Sequence, residues 1–154
     1  MPPRADQITI TDASTDAEIL ATRDLMLELR PAVPPDTYVP TVRAMMAGDG
    51  FRVAALRVDG DVRAVVGYRV LQTLLFGRVL YVDDLNTDPA SRSLGLGRQL
   101  MAWLRVRAVE LDCRELQLDS GVQRLDTHRF YVREGLTIAA YHFRLVLDAD
   151  APSR

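Results

Sequence analysis

Arg92-Ser93-Leu94-Gly95-Leu96-Gly97-Arg98 is the most informative stretch of this 154-residue sequence. It follows a β-rich run, Arg78–Thr87, which Asp88-Pro89 ends, and it leads into an amphipathic helix predicted from about Gly97 to Asp112. Glycines let the backbone turn tightly and approach a ligand closely. The first N–H groups of a helix, with their partial positive charge, favour an anion. A diphosphate fits this environment, and the two arginines of the stretch can add charge-assisted hydrogen bonds to it.

Three other interpretations of this stretch compete with a diphosphate site. A dinucleotide-binding loop needs a third glycine where Leu100 stands, and it begins at the end of the strand, whereas Asp88–Leu94 intervenes here. A Walker A loop needs Gly-Lys-Ser/Thr, but Gly97 is followed by Arg98. The third interpretation is a flexible loop between a strand and a helix, in which the glycines are incidental. The stretch alone therefore indicates an anion site and does not select a cofactor.

Capping and turn signals divide the rest of the chain into strands and helices. Thr15 followed by Glu18 has the form of a capping box, Asp59-Gly60 is a hairpin signal, and Gly135 suits a helix end. The predicted strands are Gln7–Thr11, Phe51–Val58, Val62–Leu74, Arg78–Thr87, Leu116–Asp119 and Thr137–Leu147. The predicted helices run from Thr15 to about Arg30, from Pro34 to Met46, from Gly97 to Asp112 and from Leu125 to Glu134. We expect a mixed α/β fold of order β-α-α-β-β-β-α-β-α-β, with a mostly antiparallel central sheet and helices on both faces.

The composition predicts one packed domain over residues 1–154. Apolar residues make up 48% and charged residues 26%, which suits a globular core. The net charge of −2 argues against non-specific nucleic-acid binding. Cys113 is the only cysteine, and neither the two histidines nor the carboxylates show metal-ligand spacing, so we expect no disulfide within the chain and no metal. No segment resembles a signal peptide or a membrane span, so we expect a cytosolic protein with no membrane partner.

Two blocks of the sequence together resemble the GNAT acetyltransferase superfamily. Leu85-Asn86-Thr87-Asp88-Pro89, followed by Arg92-x-x-Gly95-x-Gly97 and a helix, is similar to the coenzyme-A signature of that family. His128–Leu136 contains Phe-Tyr followed after three residues by Gly-Leu, which is similar to the family's Phe-Tyr-x-x-x-Gly-Phe element. The resemblance covers roughly residues 7–147 and implies the GNAT fold.

The resemblance also implies an activity and a set of contacts. A GNAT enzyme transfers acetyl from acetyl-CoA to a primary amine, here on a small molecule or a peptide, by direct attack. Strand Tyr81–Thr87 would splay from its neighbour, the backbone of Leu85 and Thr87 would hold the pantetheine arm, and an N–H within Leu85–Asn86 would polarise the thioester carbonyl. The pyrophosphate would lie on the loop and helix start formed by Arg92, Ser93, Leu94, Gly95, Leu96, Gly97 and Arg98. A homodimer is a further possibility that the family suggests.

Tyr131 is the expected general acid and cofactor contact, because a phenol with a pKa of about 10 stays protonated beside a thiol of about 8.5. Asp84, then Asp119, then Asp83 are the candidate bases. Asp83 and Asp84 are adjacent on a strand, so alternation predicts that they point to opposite faces. The three carboxylates could instead steer a cationic acceptor or be solvated, and a water chain could remove the proton. The alternative function is a catalytically inactive GNAT-shaped module that binds coenzyme A for regulation.

Overall fold

The structure, a computed structural model, describes residues 1–151 and divides into two compact units, Met1–Leu118 and the residues from Asp119 onward. The organisation of the whole chain as one domain stays a prediction. Among residues 1–151, no helix has both the length and the apolarity that crossing a membrane requires.

Within residues 1–151, five strands and four α-helices form in nearly the order that the sequence predicts. The strands are β1 (Ile8–Asp12), β2 (Arg52–Val58), β3 (Asp61–Thr73), β4 (Gly77–Thr87) and β5 (Glu115–Leu118). The helices are α1 (Asp16–Leu29), α2 (Tyr38–Asp49), α3 (Leu96–Glu110) and α4 (Leu125–Arg133). The mixed α/β class is confirmed.

The first unit contains a sheet in the order β1-β2-β3-β4-β5. The first four strands pair antiparallel, and β5 pairs parallel to β4. The parallel pair needs a crossover connection, which α3 supplies. Asp59 and Gly60, with φ of 51° and 91°, form the tight turn between β2 and β3. Two left-handed residues are what a type I′ hairpin requires, so the Asp-Gly prediction is confirmed.

Helices cover both faces of this sheet. On one face, α1 and α2 pack against β2 and β3 in a core that includes Ile19, Met26, Tyr38, Val42, Phe51, Val53 and Val65. On the other face, Tyr68 of β3 meets Trp103 of α3 edge-on, with ring centroids 5.8 Å apart. Alternation along β3 explains this division, because Val65 and Tyr68 are three residues apart and point to opposite faces.

The start of α1 is fixed by the predicted capping box. The Thr15 hydroxyl accepts a hydrogen bond from the Glu18 N–H at 3.2 Å, and the Glu18 carboxylate accepts from the N–H groups of Ser14 and Thr15 at 2.8 and 2.9 Å. The bonds that Ser14 and Thr15 donate lower the pKa of Glu18 to about 2. The helix therefore begins where the sequence places it.

The final strand predicted over Thr137–Leu147 does not form: these residues contain no strand in the structure. Alternating side chains predict only that the chain is extended. A strand also needs a second backbone that exchanges hydrogen bonds with it, and no local pattern reveals whether that partner is present.

Candidate active site

One edge of β4 is open over its last residues. β4 pairs with β5 only as far as Val82 and Leu118, whereas it continues beside β3 as far as Thr87. The Asp88 N–H donates to the Arg63 carbonyl on the β3 side at 2.8 Å. Because backbone groups alternate between the two edges of a strand, those of Thr87 and Leu85 point to the open edge. Within the first unit, β4 therefore has no paired strand at this edge beyond Val82, and the splaying that the resemblance implies stays a prediction.

Asn86 has a structural role on the helix side of β4. Its side-chain amide donates to the Leu25 carbonyl of α1 at 2.9 Å, and the residue is only 9% exposed. By the same alternation, its backbone groups face β3. Of the predicted pair Leu85–Asn86, only Leu85 therefore directs its backbone N–H toward the open edge.

Asp88 fixes the direction in which the chain leaves β4. Its carboxylate accepts from the Arg63 guanidinium at 2.9 Å and from the Ala90 N–H at 3.1 Å. The hydrogen bond from Arg63, followed by that from Ala90, lowers the pKa of Asp88 below its ordinary value. Asp88 therefore stays charged and anchors the loop at neutral pH.

The loop then leads into α3, whose first backbone N–H groups have no partner within the helix. Ser93 and Gly95 have φ of 71° and 78°, and α3 begins at Leu96, one residue before the predicted start. The first bond of the helix runs from the Gln99 N–H to the Gly95 carbonyl at 3.1 Å, so the N–H groups of Leu96, Gly97 and Arg98 precede the helix's own hydrogen bonds. A Cβ at Gly95 would have no atom within 4 Å. The geometry fits a diphosphate, which needs backbone donors and open space.

The arginines that flank this helix start differ in their surroundings. Arg92 donates to the Glu28 carboxylate of α1 at 3.1 Å, and both side chains are substantially exposed. An exposed pair of this kind contributes little free energy, so an anionic ligand can displace it. Arg98 is exposed at the helix start. Leu94 lies between them, partly buried, in the loop.

A β-bulge corrects the prediction that Asp83 and Asp84 point to opposite faces. Gly67 pairs with Asp84 while Tyr68 pairs with Val82, so Asp83 is an extra residue in β4. A Cβ built on Gly67 would lie 2.8 Å from the Asp84 carboxylate, which places Asp84 on the Gly67 face. Asp83 binds Arg69, which alternation puts on that same face. The inserted residue breaks the alternation of β4, so both carboxylates face α1 and α2.

Both carboxylates are paired with arginines. Arg30 Nε lies 2.6 Å from Asp84 Oδ1, and Arg30 Nη2 donates to the Asp83 carbonyl at 3.0 Å. Arg69 Nε donates to Asp83 Oδ2 at 3.0 Å, and its guanidinium lies 5.4 Å from the centre of the Phe51 ring. Burial raises the pKa of Asp83, while the bond from Arg69 opposes that rise. We call Arg30, Arg69, Asp83 and Asp84 the charged cluster.

Sequence reasoning missed the arginines of this cluster, together with Phe51 and Gly67. Arg30 directly follows α1, Arg69 lies in β3, and their carboxylate partners lie in β4. No local motif joins positions so far apart along the chain. A usable signal is the pair of adjacent aspartates that directly follows the apolar residues 79–82, because it predicts nearby cations without identifying them.

The second unit contains the predicted acid, Tyr131. It lies in α4 and is partly buried, and the centre of its ring is 5.2 Å from that of Phe130. Burial raises the pKa of Tyr131, so the phenol is protonated at neutral pH. Gly135, with φ of 87°, ends the helix, and the Leu136 N–H donates to the Tyr131 carbonyl at 3.0 Å. This ending confirms the predicted role of Gly135.

Asp119, another candidate base, already has a partner within the second unit. Its Oδ2 lies 3.0 Å from His142 Nδ1. Asp119 comes directly after β5 rather than within it. Within residues 1–151, no three His, Cys, Asp or Glu side chains are grouped so that they could hold a metal ion.

Comparison with known sequences gives a family match and a similar named protein. A sequence model described as the acetyltransferase (GNAT) family matches residues 19–136. YhdJ of Bacillus subtilis, named an uncharacterized N-acetyltransferase, is 32% identical over 121 residues, which cover 78% of this chain and 85% of that protein.

Solved structures show the same fold at low sequence identity. The aminoglycoside N-acetyltransferase AAC(6')-Iy, in complex with CoA, superposes with a TM-score of 0.78 at 18% identity, covering 94% of this chain and 99% of that one. A transcriptional regulator from Bacillus halodurans C-125 also gives a TM-score of 0.78, at 20% identity, covering 91% and 99%. At these identities the likeness concerns the fold alone.

Proposed function

This chain belongs to the acetyltransferase (GNAT) family and is an N-acetyltransferase, and on that premise we propose that it transfers acetyl from acetyl-CoA directly to a primary amine on a small molecule or peptide. The observation that carries the proposal is the open edge of β4 beside the unpaired start of α3. One offers backbone partners to an extended arm, and the other offers N–H donors to a diphosphate.

We assign the donor contacts to main-chain groups. Leu85 and Thr87 would bind the pantetheine arm at the open edge, and the Leu85 N–H would hydrogen-bond to the acetyl carbonyl oxygen. The N–H groups of Leu96, Gly97 and Arg98 would bind the diphosphate, and the Arg98 side chain would add charge. When bound, acetyl-CoA supplies the acetyl group as a thioester. The chain's own contribution is to hold the two reactants together and to direct donors at the carbonyl.

We propose that the amine proton passes to the charged cluster. Asp83 is favoured over Asp84 within it, because burial raises the pKa of Asp83 and makes it a stronger proton acceptor than an exposed aspartate. Asp84 is held at 2.6 Å by Arg30 and is better suited to binding than to accepting a proton. Asp119 is less suitable because His142 occupies its carboxylate.

We propose that Tyr131 donates a proton to the departing sulfur. Replacement of Tyr131 by phenylalanine should lower kcat by roughly 100-fold or more, in line with the loss of a general acid, and change the KM for acetyl-CoA little. Thiol release under saturating acetyl-CoA measures this effect. Tyr141→Phe, an exposed tyrosine of the same unit, is the matched control. An unchanged kcat in Tyr131→Phe would remove Tyr131 from the mechanism.

The proposal as a whole is tested with a panel of primary amines and peptide N-termini, read by thiol release and by mass spectrometry of the acceptor. Acetylation of at least one amine is expected. The second candidate function, a module that binds coenzyme A without catalysis, predicts binding with no acetylation of any acceptor.

The homodimer that the resemblance suggests has a candidate contact in residues 137–147. Their side chains alternate, and Tyr141 and Phe143 are 84% and 91% exposed. We propose that a second copy of the chain supplies the backbone partner with which this segment would form a strand. Light scattering during size exclusion should give the mass of a dimer, and Phe143→Asp should shift it toward the monomer. A monomeric wild-type chain at high concentration would contradict this proposal.

A further inference from the structure

The pair of Arg30 and Asp84 lies where an acceptor would approach the open edge of β4. Arg30 follows the last turn of α1, and its side chain is 48% exposed, whereas that of Asp84 is 14% exposed. Arg30 also reaches the Asp83 carbonyl, directly after the last residue of β4 that pairs with β5. The guanidinium therefore covers the charged cluster on its accessible side.

The surroundings of Asp84 restrict what can replace Arg30. On its inner side, a Cβ on Gly67 would already lie within 2.8 Å of the carboxylate and 2.6 Å of the Phe51 ring. A new partner must therefore come from the side of Arg30. A mostly buried carboxylate that loses its partner is strongly disfavoured, so the exchange requires a cation in the place of the guanidinium.

A plain amine and a zwitterion differ in the cost of this exchange. An alkylammonium ion can pair with Asp84, but it leaves the displaced guanidinium without a carboxylate. An acceptor with an acidic group a few bonds from its ammonium can satisfy both charges, with the ammonium on Asp84 and the acid on Arg30. Arginine suits that role, because its fork of donors matches a carboxylate or phosphonate.

Resting on the proposed acetyltransferase function, we propose that the acceptor is a small zwitterion that inserts between Arg30 and Asp84. Its acidic group pairs with the Arg30 guanidinium, and its ammonium pairs with the Asp84 carboxylate. Arg30 is then a specificity-determining residue, and Asp83 lies next to the bound amine. A carboxylate and a phosphonate share the chemistry that Arg30 recognises, and the experiment separates them.

The test compares three acceptors with the same propyl spacing or nearly so: n-propylamine, 3-aminopropanoate and 3-aminopropylphosphonate. At least one acid should show a kcat/KM about 100-fold above that of propylamine, which is the scale of one charge-assisted bidentate contact. Arg30→Gln should remove most of that advantage, so that the kcat/KM values of the three acceptors become similar. Arg30→Lys should retain part of it. Arg23→Gln is the matched control for all three acceptors, because Arg23 lies in α1 and its salt bridge is to its exposed neighbour Asp24.

The outcomes distinguish this inference from the function on which it rests. Turnover of propylamine equal to that of both acids, or an equal loss for all three acceptors in Arg30→Gln, would overturn the zwitterion proposal and leave an acetyltransferase in which Arg30 is structural. Acetylation of no amine in the wider panel would overturn the proposed function and this inference together. The thermal shift produced by coenzyme A should be the same in Arg30→Gln as in the wild-type chain, which shows that the variant is folded and binds the donor.

Discussion

Replacement of Gly95 by valine is expected to abolish binding of coenzyme A while the chain remains folded. Gly95 has φ of 78°, and a β-branched residue rarely adopts that conformation. The substitution should cost about 1–3 kcal/mol and move the start of α3, so the first N–H groups no longer converge. The new side chain would also occupy the open space in front of them.

Thermal unfolding with and without coenzyme A measures this effect. At about 100 times its Kd, a ligand adds roughly 2.7 kcal/mol to the free energy of unfolding of the wild-type chain. Gly60→Val is the matched control, because Gly60 has φ of 91° and open surroundings but lies in the β2–β3 turn. That variant should lose similar stability and keep the full shift. A full shift in Gly95→Val, or none in the wild-type chain, would refute the assigned donor site.

Replacement of Gly67 by alanine is expected to disrupt the charged cluster by displacing the Asp84 carboxylate. The added Cβ would lie 2.6 Å from the Phe51 ring and 2.8 Å from the Asp84 carboxylate, both closer than van der Waals contact allows. Phe51 is only 4% exposed and cannot move freely. Overpacking of this kind costs about 1–3 kcal/mol, and a displaced Asp84 would no longer meet Arg30 at 2.6 Å.

We therefore expect Gly67→Ala to lower both the unfolding midpoint in denaturant and the kcat/KM for the acceptor, by roughly 10- to 100-fold for a misplaced side chain. Gly48→Ala, which meets no atom within 4 Å, is the control. Adding Phe51→Leu to Gly67→Ala should restore part of the lost stability, because it removes the atoms that overlap. If Gly67→Ala retained wild-type stability and turnover, the close packing of Gly67, Phe51 and Asp84 could not be what positions the carboxylate.

The loop and helix start to which we assign the donor were largely predictable because they are local. Glycine and arginine spacing in residues 92–98, followed by an amphipathic run, predicts a loop and a helix start without knowledge of the rest of the chain. The structure then moved the start of α3 by a single residue, to Leu96. The capping box at Thr15 and the turn at Asp59-Gly60 succeeded for the same reason, since each motif satisfies its own backbone groups.

The charged cluster was not predictable because it depends on pairing between distant segments. A one-residue insertion in β4 turned Asp83 to the face of Asp84, and this insertion is visible only in the register against Gly67 and Tyr68. The partnership of Arg30 with Asp84 depends on how α1 lies over the sheet. The absence of a strand in residues 137–147 has the same cause, since alternation does not supply a neighbouring strand.

The sequence by itself determined the fold class and the loop that leads into α3, because hydrophobic period, caps and glycines act within a few residues of one another. Only the tertiary structure decided which groups β4 presents: Leu85 and Thr87 at the open edge, Asn86 turned to α1, and both aspartates on one face held by arginines. The physical reason is that strand register and helix packing, rather than the order of residues along a strand, set which backbone groups stay unpaired and which charges meet.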